Sequence, residues 1–141
     1  VPSPASMPVA AAHSLGGCFE VRREVMEGDE PLERRAGGRL WVRAVGPLPD
    51  DLILHDCLQF YASDLGSPWN AAESAHLKVM VSLDHAVWLH RPTRMDDWHH
   101  IDLEPVAMAD ARGFYTGHMW NRDGTQVASI AQENLMRPRP V

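Results

Sequence analysis

The chain has 141 residues, 45% apolar and 23% charged, with a formal net charge of -6; this fits one domain with its own core and excludes a disordered or fibrous chain. The acidic balance argues against broad nucleic-acid binding, which needs clustered Lys and Arg. No apolar run approaches the roughly 20 residues that cross a bilayer, and Met7 to Ala12 lacks a basic leader, so the expectation is a cytoplasmic protein without a membrane span.

Val1 opens the chain, and Pro2, Ser3, Pro4, Ala5 and Ser6 begin a Pro/Ala-rich stretch that ends near Gly16-Gly17. Residues 1–17 read as a linker-like segment, the chain as a fragment, and 18–141 as the folded domain. Cys18 to Met26 carries the β-formers Phe19, Val21 and Val25 among charges, a weak strand suited to a sheet edge. Glu27-Gly28-Asp29-Glu30-Pro31 is turn chemistry, and after Gly37-Gly38 a second strand runs from Leu40 to Val45.

Asp50 or Asp51 can cap a helix that the apolar spacing carries to about Leu65, where Gly66 and Pro68 stop it. Leu54, Leu58, Tyr61 and Leu65, widened by Cys57, form the face expected to be buried. From Leu77 to His90 the odd positions Leu77, Val79, Val81, Leu83, Val87 and Leu89 are apolar, interrupted only by His85, which predicts a long half-buried strand. Trp98 to Val106 is a candidate strand, and Ala111 to Asn121 with Thr125 to Met136 flank Asp123-Gly124, a hairpin turn.

One helix and about five strands, without repeats or βαβ alternation, predict an α+β fold with an antiparallel sheet. Cys18 and Cys57 are too few for a disulfide framework and read as reduced, buried thiols. His85 and His90 fall on opposite strand faces by parity, as do His99 and His100, and no Cys or second carboxylate falls at zinc-like spacing, so neither a metal nor another cofactor is expected.

The string Val81-Ser82-Leu83-Asp84-His85-Ala86-Val87-Trp88-Leu89-His90-Arg91-Pro92, followed by Met95-Asp96-Asp97-Trp98, is similar to the signature of the acyl-CoA thioesterase II family. Pro49-Asp50-Asp51-Leu52, Tyr61-Ala62-Ser63-Asp64-Leu65, Ala111-Arg112-Gly113, Thr116-Gly117, Arg122-Asp123-Gly124 and Val127 to Glu133 fall in the family's order, so the resemblance covers roughly residues 18–138. It implies a hotdog fold, a curved antiparallel sheet of five to six strands around one helix at about 51–65. Members usually hold two such repeats, and this chain resembles the second alone. The implied activity is hydrolysis of fatty acyl-CoA, and the family's catalytic Asp, Ser or Thr, and Gln fall by motif on Asp64, Ser82 and Gln132.

These residue types suit a thioester, which needs a positioned water, a proton acceptor, and donors where charge develops on the carbonyl oxygen. The absence of a Gly-x-Ser-x-Gly elbow argues against a Ser-His-Asp hydrolase. Asp64 is expected in the last helical turn, sharing a face with Cys57, Phe60 and Tyr61, where the macrodipole and the apolar neighbours would raise its basicity. It would take the proton from water, Ser82 would hold that water, and Gln132 would place it or polarise the carbonyl.

Asp84-His85 reads first as a structural hydrogen bond, with His85 as a candidate for the substrate channel. Arg112, with Arg91 and Arg94, is a candidate for coenzyme A phosphates through charge-assisted contacts. A silent acyl-binding or assembly module is the alternative function, and a hotdog dehydratase is disfavoured because His55-Asp56 lies at the wrong end of the helix. The partners expected are acyl-CoA and either a second copy, giving a homodimer, or a first hotdog repeat, since a lone repeat exposes its partner-facing surface.

Overall fold

The computed structural model describes residues 3–6, 17–23, 38–66 and 77–138. Strands β1 (Phe19–Arg23), β2 (Leu40–Ala44), β3 (Leu77–Leu89), β4 (His99–Ala109), β5 (Arg112–Asn121) and β6 (Gln126–Pro138) form one sheet. Its order is β1-β2-β4-β5-β6-β3, with every neighbouring pair antiparallel. Helix α1 (Leu52–Ala62) is the one α-helix among the described residues. The α+β class, the antiparallel sheet and the edge position of β1 agree with the sequence reading, with six strands where about five were expected. The expected turn at 27–31 and Pro68 lie outside the described residues, as does most of 1–17; Pro4–Ser6 form a short 3-10 turn whose Pro4 carbonyl accepts from Arg22 Nη1 at 2.7 Å.

Asp51 starts α1: its extended backbone and its Oδ1, which accepts from the Ile53 and Leu54 amides at 3.0 and 3.3 Å, satisfy donors that the first turn leaves free. At the other end Ser63 is the C-cap, and its amide donates to Gln59 O at 3.1 Å. The helix is therefore shorter than 51–65, and its buried face is not the expected one. His55, Gln59 and Ala62 are buried, whereas Tyr61 and Cys57 are exposed and Leu54, Leu58 and Leu65 are half-buried. His55 Nδ1 accepts from the Met95 amide at 3.1 Å, a tertiary bond that periodicity cannot show, whereas the Gln59 amide is buried without a hydrogen-bond partner among the described residues. Both thiols are exposed, correcting the expectation that they are buried.

The core fills the space between α1 and the sheet with Leu40, Val42, Ile101, Leu103, Met119 and Ile130, all at most 2% exposed. Burying each such aliphatic side chain contributes about 1.5–3 kcal/mol. Gly117 permits close approach here, since a Cβ on it would lie 2.4 Å from Leu103 Cδ2. The Asp123-Gly124 hairpin forms as expected: Gly124 has φ 86°, and Asn121 N donates to Thr125 O at 2.8 Å. A second tight turn, Asp110-Ala111, joins β4 to β5 with φ of 50° and 61° and carries β4 three residues beyond its expected end at Val106.

β3 departs from strict alternation. Ser82 pairs with Asn134 and Asp84 with Glu133, so Leu83 is an extra residue, a β-bulge. An odd number of positions separates Ser82 from His85, and a regular strand would put them on opposite faces. The bulge absorbs one position, and the two side chains share the face that looks toward α1. The same phase change leaves Val81 and Leu83 exposed while Val87 packs on the core, so the predicted apolar odd face is only partly buried.

Candidate active site

Gln132, itself buried, is the centre of a polar cluster that reaches the surface at Asp64 and Ser82. In the register of the sheet it stands opposite His85 on β3 and opposite Tyr115 on β5, so three side chains line up across three strands on one face. Ser82 and Asn134 form the next rung. The end of α1 supplies the fourth side: Ser63 is buried, and Asp64, one residue beyond the cap, has a side chain 57% exposed.

The hydrogen-bond pattern fixes which way the Gln132 amide faces. Its Nε2 lies 3.0 Å from Asp64 Oδ1, and a carboxylate oxygen only accepts, so this end must be the NH2 group. Nε2 also donates to Ser82 Oγ and approaches Asn134 Oδ1 at 3.4 Å. The amide oxygen accepts from Tyr115 OH, and from His85 Nδ1 at 2.6 Å, which therefore carries a hydrogen. Burial, and next the charge of Asp64, push the Tyr115 phenol well above its ordinary range and keep it a donor.

His85 is held from both sides. Its Nε2 lies 2.7 Å from Ser63 Oγ, a hydroxyl that is also 2.6 Å from Phe60 O, and the Phe60 ring meets the imidazole edge-on at 5.5 Å. Asp64 Oδ1 is 3.8 Å from His85 Nδ1. Ser82 Oγ accepts one Gln132 hydrogen, so its own hydroxyl hydrogen is available to another acceptor. The arrangement offers a half-exposed carboxylate and a hydroxyl side by side, locked by one amide, a geometry able to hold and deprotonate a water.

The structure thus brings together Asp64, Ser82, Gln132 and His85. Asp64 lies beyond the last helical turn, one residue past the Ser63 cap. Arg112 is not in the cluster: it follows the β4–β5 turn on the opposite sheet face, 3.3 Å from Glu133 Oε2. Arg91 donates to Gln126 O at 2.9 Å, and Arg94 joins Asp50 and Asp96, each at 3.0 Å. Asp84 and His85 bond elsewhere, Asp84 accepting from the Glu133 amide at 2.9 Å while His85 contacts Gln132 and Ser63. Tyr115, Ser63 and Asn134 are the members that sequence reasoning missed. Tyr115 reads as one more core position of an alternating strand, and only its place opposite Gln132 gives it another role.

Among the described residues no group of three or more His, Cys, Asp or Glu side chains could hold a metal ion. His99 is buried, bonded to Thr93 Oγ1 at 2.8 Å and to Asp97 O at 3.0 Å, and its pKa is lowered chiefly by desolvation. No helix among the described residues is long and apolar enough to cross a membrane.

A curved antiparallel sheet packed on the one helix of the described residues defines a hotdog fold. It superposes with TM-score 0.81 on an acyl-CoA thioesterase II from Mycobacterium marinum, at 32% identity over 99% of this chain and 55% of that one. It also superposes with TM-score 0.65 on a hotdog protein of unknown function from Alicyclobacillus acidocaldarius, at 17% identity over 100% of this chain and 54% of that one, a likeness of fold alone. Acyl-coenzyme A thioesterase 8 of Rattus norvegicus is 37% identical over 105 residues, 71% of this chain and 33% of the relative. The profile of the acyl-CoA thioesterase C-terminal domain matches residues 2–136, and the chain belongs to that family. It spans about a third of the curated relative's length and about half of the solved ones.

Proposed function

We propose that the chain hydrolyses acyl-CoA thioesters to a free acid and coenzyme A, by a water activated at Asp64, Ser82 and Gln132. The observation that carries this reading is the contact of Gln132 Nε2 with both Asp64 and Ser82, residues 68 and 50 positions away. Asp64 takes a proton as the water oxygen bonds to the thioester carbon, Ser82 holds the water, and Gln132 orients the two. Collapse of the tetrahedral intermediate breaks the C–S bond, and the thiolate leaves with the proton from Asp64. In this reading His85 acts beside the channel by holding Gln132, and Arg112 remains a candidate for coenzyme A phosphates.

Residues 18–141 are the catalytic repeat and 1–17 the segment that leads into it, with a role in fatty-acid metabolism in the cytoplasm. Leu52, Ile53 and Phe60 on α1, and Val81, Leu83 and Trp88 on β3, are large apolar side chains left exposed. They favour association with a second copy or with a first hotdog repeat, and native mass at micromolar concentration tests it. The same surface favours the second reading, an acyl-binding or assembly module that is silent alone.

Release of free thiol from an acyl-CoA chain-length series decides between them. Hydrolysis that drops by about 100-fold or more in Asp64→Asn, on the scale expected for loss of general-base catalysis, supports the proposal. An unchanged rate in that variant overturns the assignment, and binding of acyl-CoA without turnover by the associated wild-type protein establishes the silent module.

A further inference from the structure

The bulge at Leu83 gives the site its geometry, because without it the sequence spacing would turn either Ser82 or His85 away from Gln132. A bulge leaves a gap in the ladder, and an unpinned one can migrate along the strand. One step toward Val81 would rotate Ser82 out of the site. Migration beyond His85 would turn the imidazole out instead. Something must hold the extra residue at position 83.

Asp84 is placed to do so. It follows the extra residue, pairs in register with Glu133, and its Oδ1 accepts the Glu133 amide hydrogen at 2.9 Å. A side-chain oxygen thus serves as the acceptor for a strand N–H at the irregularity, and this bond is lost if the extra residue moves past Asp84, which would re-pair position 84 with Gln132 and turn His85 away from it. The carboxylate is spent on the backbone of β6, one residue beyond Gln132, and is exposed rather than turned into the cluster.

We infer that Asp84 is a positioning residue for thioester hydrolysis: by accepting from the Glu133 amide it keeps the β3 bulge from moving past position 84 and so holds His85 opposite Gln132, on the face that Ser82 shares. The inference rests on the proposed site. Its requirement is an acceptor at position 84, not a charge.

The test compares Asp84→Ala, Asp84→Asn and Asp64→Asn in the full chain, by thiol release from octanoyl-CoA and palmitoyl-CoA, with melting temperature and Glu133 amide exchange measured alongside. Asp84→Ala is expected to lose at least about 10-fold in kcat at nearly constant KM, within the roughly 100-fold that an ångström of misplacement costs, and to exchange the Glu133 amide faster. Asp84→Asn keeps an oxygen acceptor and is expected to restore kcat, the wild-type pH profile and slow exchange. Wild-type kcat in folded Asp84→Ala overturns the inference, as does an Asp84→Asn variant that is folded yet as impaired as Ala. If Asp84→Ala does not fold, Asp84→Asn alone decides: wild-type kcat with slow Glu133 exchange supports the inference, and a folded Asp84→Asn that loses about 10-fold or more in kcat overturns it. Full activity in Asp64→Asn would instead remove the proposed site itself, a result separate from either Asp84 outcome.

Discussion

Tyr115 stands directly opposite Gln132 on the neighbouring strand, and its hydroxyl donates to the amide oxygen of that residue. A phenol 1% exposed thus orients the group that joins Asp64 to Ser82. Removing the hydroxyl leaves His85 as the other donor to that oxygen. Tyr115→Phe is expected to lower kcat about 10-fold with KM nearly unchanged, and to cost about 1 kcal/mol of stability, the net worth of one hydrogen bond. The effect should vanish in a Gln132→Ala background, where a double-mutant cycle in kcat measures the coupling.

Asp96 makes stability depend on acid. Hydrogen bonds from Arg94 first, and then from the Leu48 amide, hold its carboxyl at about 2, below the ordinary 3.8. A carboxyl with a depressed folded pKa stabilises the protein above its unfolded value and loses that contribution as pH falls through the folded one. Denaturant midpoints should therefore fall between about pH 4 and pH 2, and fall less steeply in Asp96→Asn than in the wild type.

Gly117 cannot accept a side chain. An added Cβ would lie 2.4 Å from Leu103 Cδ2 and 2.7 Å from the Asp102 carbonyl oxygen, and the latter is backbone that cannot rotate away. Gly117→Ala should cost about 1–3 kcal/mol, the range for overpacking a filled core, measured by urea unfolding.

Ala111 occupies the left-handed region at φ 61°, where an L side chain is strained and glycine is not. Its carbonyl accepts from Met136 N at 2.7 Å, so the conformation is fixed by β6. Ala111→Gly should raise stability by roughly 0.5–1 kcal/mol, the strain relieved exceeding the added chain entropy, and a shift in the urea midpoint at constant slope would show it.

The parts of the fold legible in the sequence are those set by local chemistry. Asp51 caps α1 and Gly124 turns the last hairpin, because each acts on its own backbone neighbours. The irregular rungs were not legible. Counting back from Asn121 opposite Thr125 would put Tyr115 across from Ala131, and the register shift next to Trp120 makes it Gln132 instead. The extra residue at Leu83 hides Ser82 and His85 from any parity argument in the same way. Asp64, Ser82 and Gln132 came from family resemblance, since a lone Ser or Gln in a strand carries no periodic signal. The buried helix face departs from the periodic one because hydrophobicity ranks Leu54 above His55 and Gln59, while tertiary packing buries the latter pair.

Ser63 is at once the last stitch of a helix and a clasp on an imidazole: its amide closes onto Gln59, its hydroxyl onto Phe60 and His85. Asp64 and Leu65 then continue with the tighter i to i-3 links to Tyr61 and Ala62 at 3.2 and 3.1 Å. Terminal turns open at far lower free energy than a domain melts. Warming should therefore silence turnover reversibly at temperatures where far-ultraviolet dichroism still reports an intact sheet, and inactivation coinciding with global melting would show that this end of α1 does not fray first.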